Sequence, residues 1–329
     1  MSSLTRVGVL RGGPGPEYML SFNSGLAIIN ALRDHYSETY EPRDILIDHE
    51  GNWHIDDVAI LPHELHSQVD VIFNALRGPY GEDGRIQSIF ETYGIPFTGS
   101  SSLGSALSLN KSLAKNLFKQ NGLKSPFFKE ISSEEICLRP DKLTKELFQT
   151  LLLPAIVKPN NAGSSVAVSL VRNYSELPEA LKEAALHGDK VLIEEYLVGN
   201  EASCAVIDDF RGQEYYVLPP IEIRSKKGFF GHHEKQQGQN EHLIPASFPL
   251  KVKNELAGLA TKVHQLFGLR HYSKSDFIIH PRRGIYILEI DSLPSLTEDS
   301  LIPQALTAVG SNLQELVGHV LGMAMSKGR

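Results

Sequence analysis

Short apolar runs alternate with stretches of helical periodicity through the first hundred residues. Val7-Gly8-Val9-Leu10 has the pattern of a buried strand and runs directly into the glycine turn Arg11-Gly12-Gly13. Ser21 stands where it can cap a helix running through Leu26, Ile29, Asn30 and Arg33. Ile45-Leu46-Ile47 and Val69-Asp70-Val71-Ile72-Phe73 read as further strands, and Ile86 to Tyr93 as a helix. Strand and helix alternating at this spacing predict a parallel sheet.

The segment Thr98 to Ser105, rich in Ser and Gly, marks a boundary. A helix around Lys111 to Lys119 follows, then strands at Pro154–Lys158 and Ser165–Val171, a helix at Ser175 to Leu186 and the strand Lys190 to Glu195. Ala205-Val206-Ile207 and Tyr215-Tyr216-Val217-Leu218 have the look of antiparallel strands. The polar, glycine-bearing stretch 225–242 interrupts them, and polar loops of that length are usually functional lids or disordered. Beyond it lie a helix at Val252 to Phe267, strands at Ser273 to His280 and Gly284 to Ile290, and helix from Ser300 onward. The fold class is therefore α/β and α+β in three domains, 1–100, 101–198 and 199–329, with 225–242 as the lid of the last.

Composition narrows the functions available. Of 329 residues, 41% are hydrophobic and 22% charged, as in an ordinary globular protein. The formal charge of −7 gives no broad basic field for nucleic acid or an anionic membrane, although a few local cations can still hold an anionic ligand. Cys137 and Cys204 are too few for a disulfide framework and fit a reducing cytoplasm. The first ten residues lack the pattern of a signal peptide, and no apolar run reaches membrane-spanning length. The expectation is a soluble cytoplasmic protein.

Three carboxylates near the C-terminus carry the first chemical signal. Glu289 and Asp291 are two apart on one strand, so both project from one face, and the turn Pro281-Arg282-Arg283 brings Asp276 alongside on the preceding strand. Converging carboxylates repel unless a cation neutralises them, and Mg²⁺ held by carboxylates and ligand phosphates is the usual resolution. A solvated strand face is the plainer alternative. Lys158 closes a strand and precedes the small-residue loop Asn160-Asn161-Ala162-Gly163-Ser164-Ser165, which suits a phosphate cradle. Lys111 stands after Ser108 and Asn110 at a helix start, where the helix dipole disfavours a cation. Taken singly, each lysine is as readily an exposed surface residue. The chain has neither a Walker A loop nor a Gly-x-Gly-x-x-Gly fingerprint.

An ordered series of motifs weighs these readings together. It runs Leu10-Arg-Gly-Gly-Pro-Gly-Pro-Glu17, Ser21-Phe-Asn-Ser-Gly25, Asn74-Ala-Leu-Arg-Gly-Pro-Tyr-Gly-Glu-Asp-Gly84 and Gly94-Ile-Pro-Phe-Thr-Gly-Ser100. It continues with Ala106-Leu-Ser-Leu-Asn-Lys111, Ile156-Val-Lys-Pro159, Gly163-Ser-Ser-Val166 and Val191-Leu-Ile-Glu-Glu-Tyr-Leu197, then Glu201, Lys235, Asp276, Glu289-Ile-Asp291 and Ser300-Leu301. In this order, and nearly end to end, the chain resembles the D-alanine–D-alanine ligase family.

The resemblance implies a Rossmann-like N-terminal domain followed by a two-lobed ATP-grasp fold, and ATP with two Mg²⁺ ions, or Mn²⁺, as cofactors. It implies that Lys111, Lys158 and Ser165 meet the phosphates. Glu194, Glu195, Tyr196 and Leu197 would line the adenine pocket, Glu201 would meet the ribose, and the loop lysine Lys235 the γ-phosphate. Asp276, Glu289 and Asp291 would carry the metal. Glu17, helped by Ser164, would receive the ammonium of the first D-alanine, and Ser300 with Leu301 the carboxylate of the second. The partners implied are small molecules, with no nucleic acid or membrane, and the assembly a homodimer.

Departures from the family pattern cluster around the chemistry. Lys274 stands where an arginine grips the reacting carboxylate, Asp291 replaces an asparagine, and Ser295 replaces a glycine of the oxyanion hole. Arg77 replaces a histidine of the second-substrate site, and Gln236 a loop tyrosine. His232 and His233 fall where D-alanine–D-lactate ligases carry a histidine, and exposed loop histidines are the preferred reading. His63, Glu64 and His66 lack the His-Glu-x-x-His spacing and read as a surface loop. The favoured activity is D-alanyl-D-alanine formation for peptidoglycan precursors. The same chemistry on D-lactate, D-serine or another amine stays open, as does a weakly catalytic ATP-binding paralogue.

Overall fold

In the computed structural model, residues 4–163, 166–225 and 240–326 are described. The N-terminal sheet contains β1 (Thr5–Gly12), β2 (Tyr40–Ile47), β3 (Trp53–Ile55), β4 (Val58–Ile60) and β5 (Val71–Asn74), in the order β4-β3-β2-β1-β5. β1 pairs in parallel with both β2 and β5, whereas β3 and β4 add on as antiparallel strands. The sheet is thus mixed rather than wholly parallel, because a short hairpin extends its edge.

Period-two alternation explains why the central strands are apolar throughout. Val7 and Val9 of β1, with Val71 and Phe73 of β5, enter one core cluster; Leu10 and Ile72 enter the cluster on the opposite face. The first face is covered by the helices Tyr18–His35 and Leu313–Ser326, and the second by Arg85–Thr92. Ser21 lies inside the first helix instead of capping it, since the helix begins at Tyr18 and the buried Ser21 hydroxyl donates to the Ala75 carbonyl at 3.0 Å.

A four-stranded antiparallel sheet follows: β6 (Phe128–Ser132), β7 (Ala155–Pro159), β8 (Ser169–Val171) and β9 (Lys190–Glu195), in the order β6-β9-β7-β8. Its core draws on the helices Ser133–Leu138, Pro140–Thr150 and Leu177–Ala185. Neither β6 nor the first two of these helices is evident from apolar periodicity alone.

The third sheet contains β10 (Asn200–Phe210), β11 (Gln213–Val217), β12 (Ile221–Ser225), β13 (Asn240–Leu243), β14 (Tyr272–His280) and β15 (Gly284–Asp291), all antiparallel. One face packs on the helix Leu250–Leu266. The other shares a continuous core with the N-terminal sheet, in which Ile207, Leu218 and Tyr272 join Val9 and Phe73 around the final helix. No helix among the described residues is long and apolar enough to cross a membrane. Cys137 is exposed and Cys204 buried, both as free thiols.

Gly12 is required where β1 turns into the site. Its φ is +86°, and an added Cβ would lie 2.2 Å from the Ile47 carbonyl oxygen, a backbone atom that cannot rotate away. Gly12→Ala should lower unfolding free energy by more than about 1 kcal/mol, read from the urea midpoint. An unchanged midpoint would show that the turn tolerates a side chain.

Candidate active site

A cleft opens between the middle and C-terminal sheets. Ile156, Val168, Leu197, Ile278 and Leu288 supply apolar walls, while Lys111, Lys158, Glu194, Asp276 and Glu289 bring charge to it. Tyr196, Glu195 and Glu201 line it as well. The expected nucleotide-site residues among those described therefore share one cavity.

Local capping positions Lys111. Asn110 caps the helix Lys111–Gln120 by accepting from the Leu113 amide at 3.1 Å, and Asn160 accepts from the Ser112 amide at 2.8 Å through its side chain. This fixes the helix start against the loop after β7. The Lys111 ammonium donates to the Ala162 carbonyl at 2.7 Å and faces Glu289 at 3.5 Å, contacts that offset its unfavourable place at a helix N-terminus.

Glu194 lies on β9 opposite Ile156 of β7 and is held by two lysines, Lys158 at 3.0 Å and Lys115 at 3.1 Å. Burial works to raise its carboxyl, but Lys115 and Lys158 together hold it below the usual carboxylate range. Burial pulls Lys115 down to about 8 against the attraction of Glu194. Lys115 escaped sequence reasoning, although its four-residue spacing from Lys111 puts both on one helix face. Glu195, at the cleft's edge, is gripped by Arg283 with two guanidinium nitrogens at 3.0 and 3.1 Å. Its carboxylate ties the β14–β15 turn to the middle sheet.

Asp276 and Glu289 face each other in register across β14 and β15, beside a bulge. The Asp276 carboxylate accepts from Ser203 at 2.8 Å and from Lys274 at 2.6 Å. Burial opposes charge on Lys274, yet Asp276, Asp291 and Glu289 hold its ammonium above the usual lysine value. Asp291 does not join Asp276 and Glu289 at the cleft. Arg77 draws it away with contacts of 3.4 and 3.5 Å, and the Leu293 amide donates to it at 3.0 Å. Among the described residues no group of three metal-ligating side chains is assembled; Asp276 and Glu289 face each other, and all three carboxylates act on Lys274. Two facing carboxylates are hard oxygen donors whose chemistry fits Mg²⁺, and the lysine beside each supplies positive charge at the same place.

Arg77 is the centre of a second charged group, between the N-terminal and C-terminal sheets. It also meets Glu82 at 3.4 Å, and Glu82 accepts from the Gly78 amide at 2.8 Å. Burial lowers the affinity of Arg77 for its proton, but Asp291, Glu82 and Glu17 more than restore it. Burial pushes the Glu82 carboxyl up to about 8 despite Arg77. Glu17 is buried between two glycines: a Cβ at Gly78 would lie 2.3 Å from its Oε2, and one at Gly163 would lie 2.9 Å away. Ser295, Thr297 and Ser300 join their hydroxyls, with Ser300 donating to Ser295 at 2.8 Å. Ser300 occupies the cap position of the helix Leu301–Ala308, and Leu301 packs on the shared core.

Ser164, Ser165, His232, His233, Lys235 and Gln236 lie outside the described residues, as does most of the expected lid. Residues 63–66 are helical instead of a loop, running from the 3₁₀ helix Pro62–Glu64 into the short helix Leu65–Gln68: Glu64 accepts from the Leu61 amide at 2.8 Å, and His66 bonds the His63 carbonyl.

Two antiparallel sheets clasping a cleft of paired lysines and carboxylates, behind a mixed α/β unit, define an ATP-grasp enzyme. The family model for the D-ala D-ala ligase C-terminus matches residues 117–322, and that for the N-terminus matches residues 57–100. The chain is 34% identical over 323 residues to a D-alanine–D-alanine ligase of Geotalea uraniireducens (strain Rf4), covering 98% of this chain and 96% of that one. The crystal structure of a D-alanine–D-alanine ligase from Bacillus anthracis superposes with a TM-score of 0.77 at 26% identity over 98% of both chains. The VanG D-Ala:D-Ser ligase from Enterococcus faecalis gives 0.83 at 24% identity, covering 98% of this chain and all of that one, a likeness of fold. This chain belongs to the D-alanine–D-alanine ligase family, and ATP use comes with that class.

The Arg77–Asp291 contact joins residues 214 apart in sequence and predicts a coupled pair. Arg77→His or Asp291→Asn alone leaves a buried charge with fewer partners, and the double variant removes both. Each single change should cost unfolding stability, with a coupling of about 1–3 kcal/mol recovered in the double. Denaturant unfolding of all four proteins measures it, and strictly additive losses would mean that the two side chains do not meet in solution.

Proposed function

We propose that this enzyme joins two D-alanines with ATP and Mg²⁺, supplying the dipeptide for peptidoglycan precursors. The observation that carries the reading is the facing pair Asp276 and Glu289 in a cleft that also holds Lys111 and Lys158. That set gives hard donors for a divalent cation and ammonium groups for phosphate oxygens in one cavity.

The first D-alanine binds with its ammonium at Glu17, whose placement between Gly78 and Gly163 leaves no room for a side chain there. Its carboxylate oxygen bonds to the γ-phosphorus as the bond to the β,γ-bridging oxygen breaks, giving an acyl phosphate and ADP. Two anions meet in this step, so Lys111 and Lys158 neutralise phosphate charge, and Mg²⁺ adds Lewis-acid stabilisation when bound. The amine of the second D-alanine then attacks the acyl carbon; inorganic phosphate leaves and the amine proton is lost. The Ser300 hydroxyl and the start of its helix receive the second carboxylate. Lys274, Ser295 and Tyr196 complete the proposed site, Lys274 facing the reacting carboxylate with a single ammonium instead of a guanidinium fork.

ADP release measured with D-alanine alone, and then with D-serine, other amines and the hydroxy acid D-lactate as second substrates, tests the acceptor. Dipeptide formed from D-alanine alone supports the reading, and turnover confined to a mixed product would replace the acceptor. Asp276→Ala or Glu289→Ala should reduce ADP release by at least about a hundredfold, the scale of losing a main electrostatic stabiliser. Near-normal rates in either variant at low Mg²⁺ would remove the metal from that position.

A further inference from the structure

Lys158 and Lys115 both contact a single oxygen, Oε1 of Glu194, at 3.0 and 3.1 Å. They differ in what else they can reach. Lys158 is part of the cleft lining, whereas the Lys115 side chain is 1% exposed and lies behind it. Glu194 is itself 3% exposed, so its carboxylate depends on these lysines for neutralisation.

Nucleotide phosphates entering the cleft compete with Glu194 for Lys158. If Lys158 were the sole counter-ion, each phosphate contact would strip a buried carboxylate of its partner. We propose that Lys115 is a positioning residue that stays on Glu194 and so releases Lys158 to the phosphates. The inference rests on the nucleotide reading given above and adds a residue outside the cleft to it. Lys111 supplies a contrast, because its carboxylate partner Glu289 faces Asp276 and would exchange the lysine for a cation instead.

Equilibrium binding of ATP and of adenosine, the latter as a probe without phosphates, separates this role from general support of the pocket. Lys115→Met should weaken ATP on the order of tenfold, the effect of a single charge contact withheld, while adenosine binding changes little. Lys115→Met combined with Glu194→Gln should bind ATP as tightly as Glu194→Gln alone, because a neutral amide in place of the carboxylate no longer detains Lys158. This comparison also serves if the single Lys115→Met protein does not fold. Lys115→Arg, which keeps the charge, should retain more ATP affinity than Lys115→Met.

Unchanged ATP affinity in Lys115→Met overturns the proposal. Equal weakening of ATP and adenosine overturns it too, as does further loss when Lys115→Met is added to Glu194→Gln, since either result makes Lys115 a support for pocket shape. Absence of ATP binding by the unaltered protein would instead defeat the nucleotide reading itself.

Discussion

A charge removed from water must be neutralised by another charge, and the site is organised around that requirement. Lys115 and Lys158 share Glu194, Lys111 faces Glu289, Lys274 holds Asp276, and Arg77 holds Glu82 and Asp291. These pairs balance charge within the protein, and they also define the ligand chemistry that the cleft suits. In the proposed mechanism a polyanion entering the cleft would draw the lysines, and a divalent cation the carboxylates they leave. Bound together, the two would preserve the neutrality that the pairs maintain, which is the physical reason the proposal puts phosphate and metal in one cleft.

Much of this architecture was legible in the sequence because it rests on local patterns. The alternation in β1 and β5, the helix Leu250–Leu266 and the hairpin that brings Asp276 opposite Glu289 follow from periodicity and a short turn. The ordered motifs led to the family. What escaped depends on distant partners. Ser21 has the composition of a cap, but its hydroxyl serves Ala75, a residue 54 positions away. Lys115 resembles any helix-surface lysine until β9 brings Glu194 to it. Glu195 shares a motif with the nucleotide-site residues, yet strand alternation turns its side chain to Arg283.

Asp291 shows most clearly how a long-range contact redirects a locally sound inference. Its spacing from Glu289 puts both on one strand face, which by itself favours a three-carboxylate cluster. Arg77 arrives from the loop after β5 and forms a cross-sheet pair with it. Both residues depart from the resemblance pattern, and they face each other. Lys274 is Asp291's register partner on β14, but its ammonium is on Asp276 at 2.6 Å. The added negative charge of Asp291 is therefore met by the added positive charge of Arg77, and Lys274 remains beside the carboxylate pair at the cleft.

The packing determines which parts can shift around these charges at low cost. The N-terminal and C-terminal sheets bury one continuous apolar core around the final helix, so separating them would expose residues such as Phe73, Ile207 and Leu316 together. The middle sheet has its own core from Ile131 to Ile193, and it meets the C-terminal sheet through the ion pair of Arg283 with Glu195 and a small apolar cluster of Leu197, Ile278 and Tyr286. The large apolar cores lie apart, for the one beneath the middle sheet shares no residue with the two that flank the C-terminal sheet. In the proposed mechanism an acyl phosphate must be kept from water, and the cleft that would hold it lies between these two sheets. The proposed chemistry thus falls between two sheets with separate cores, while Arg77 and Asp291 lie at the junction of the two sheets that share one.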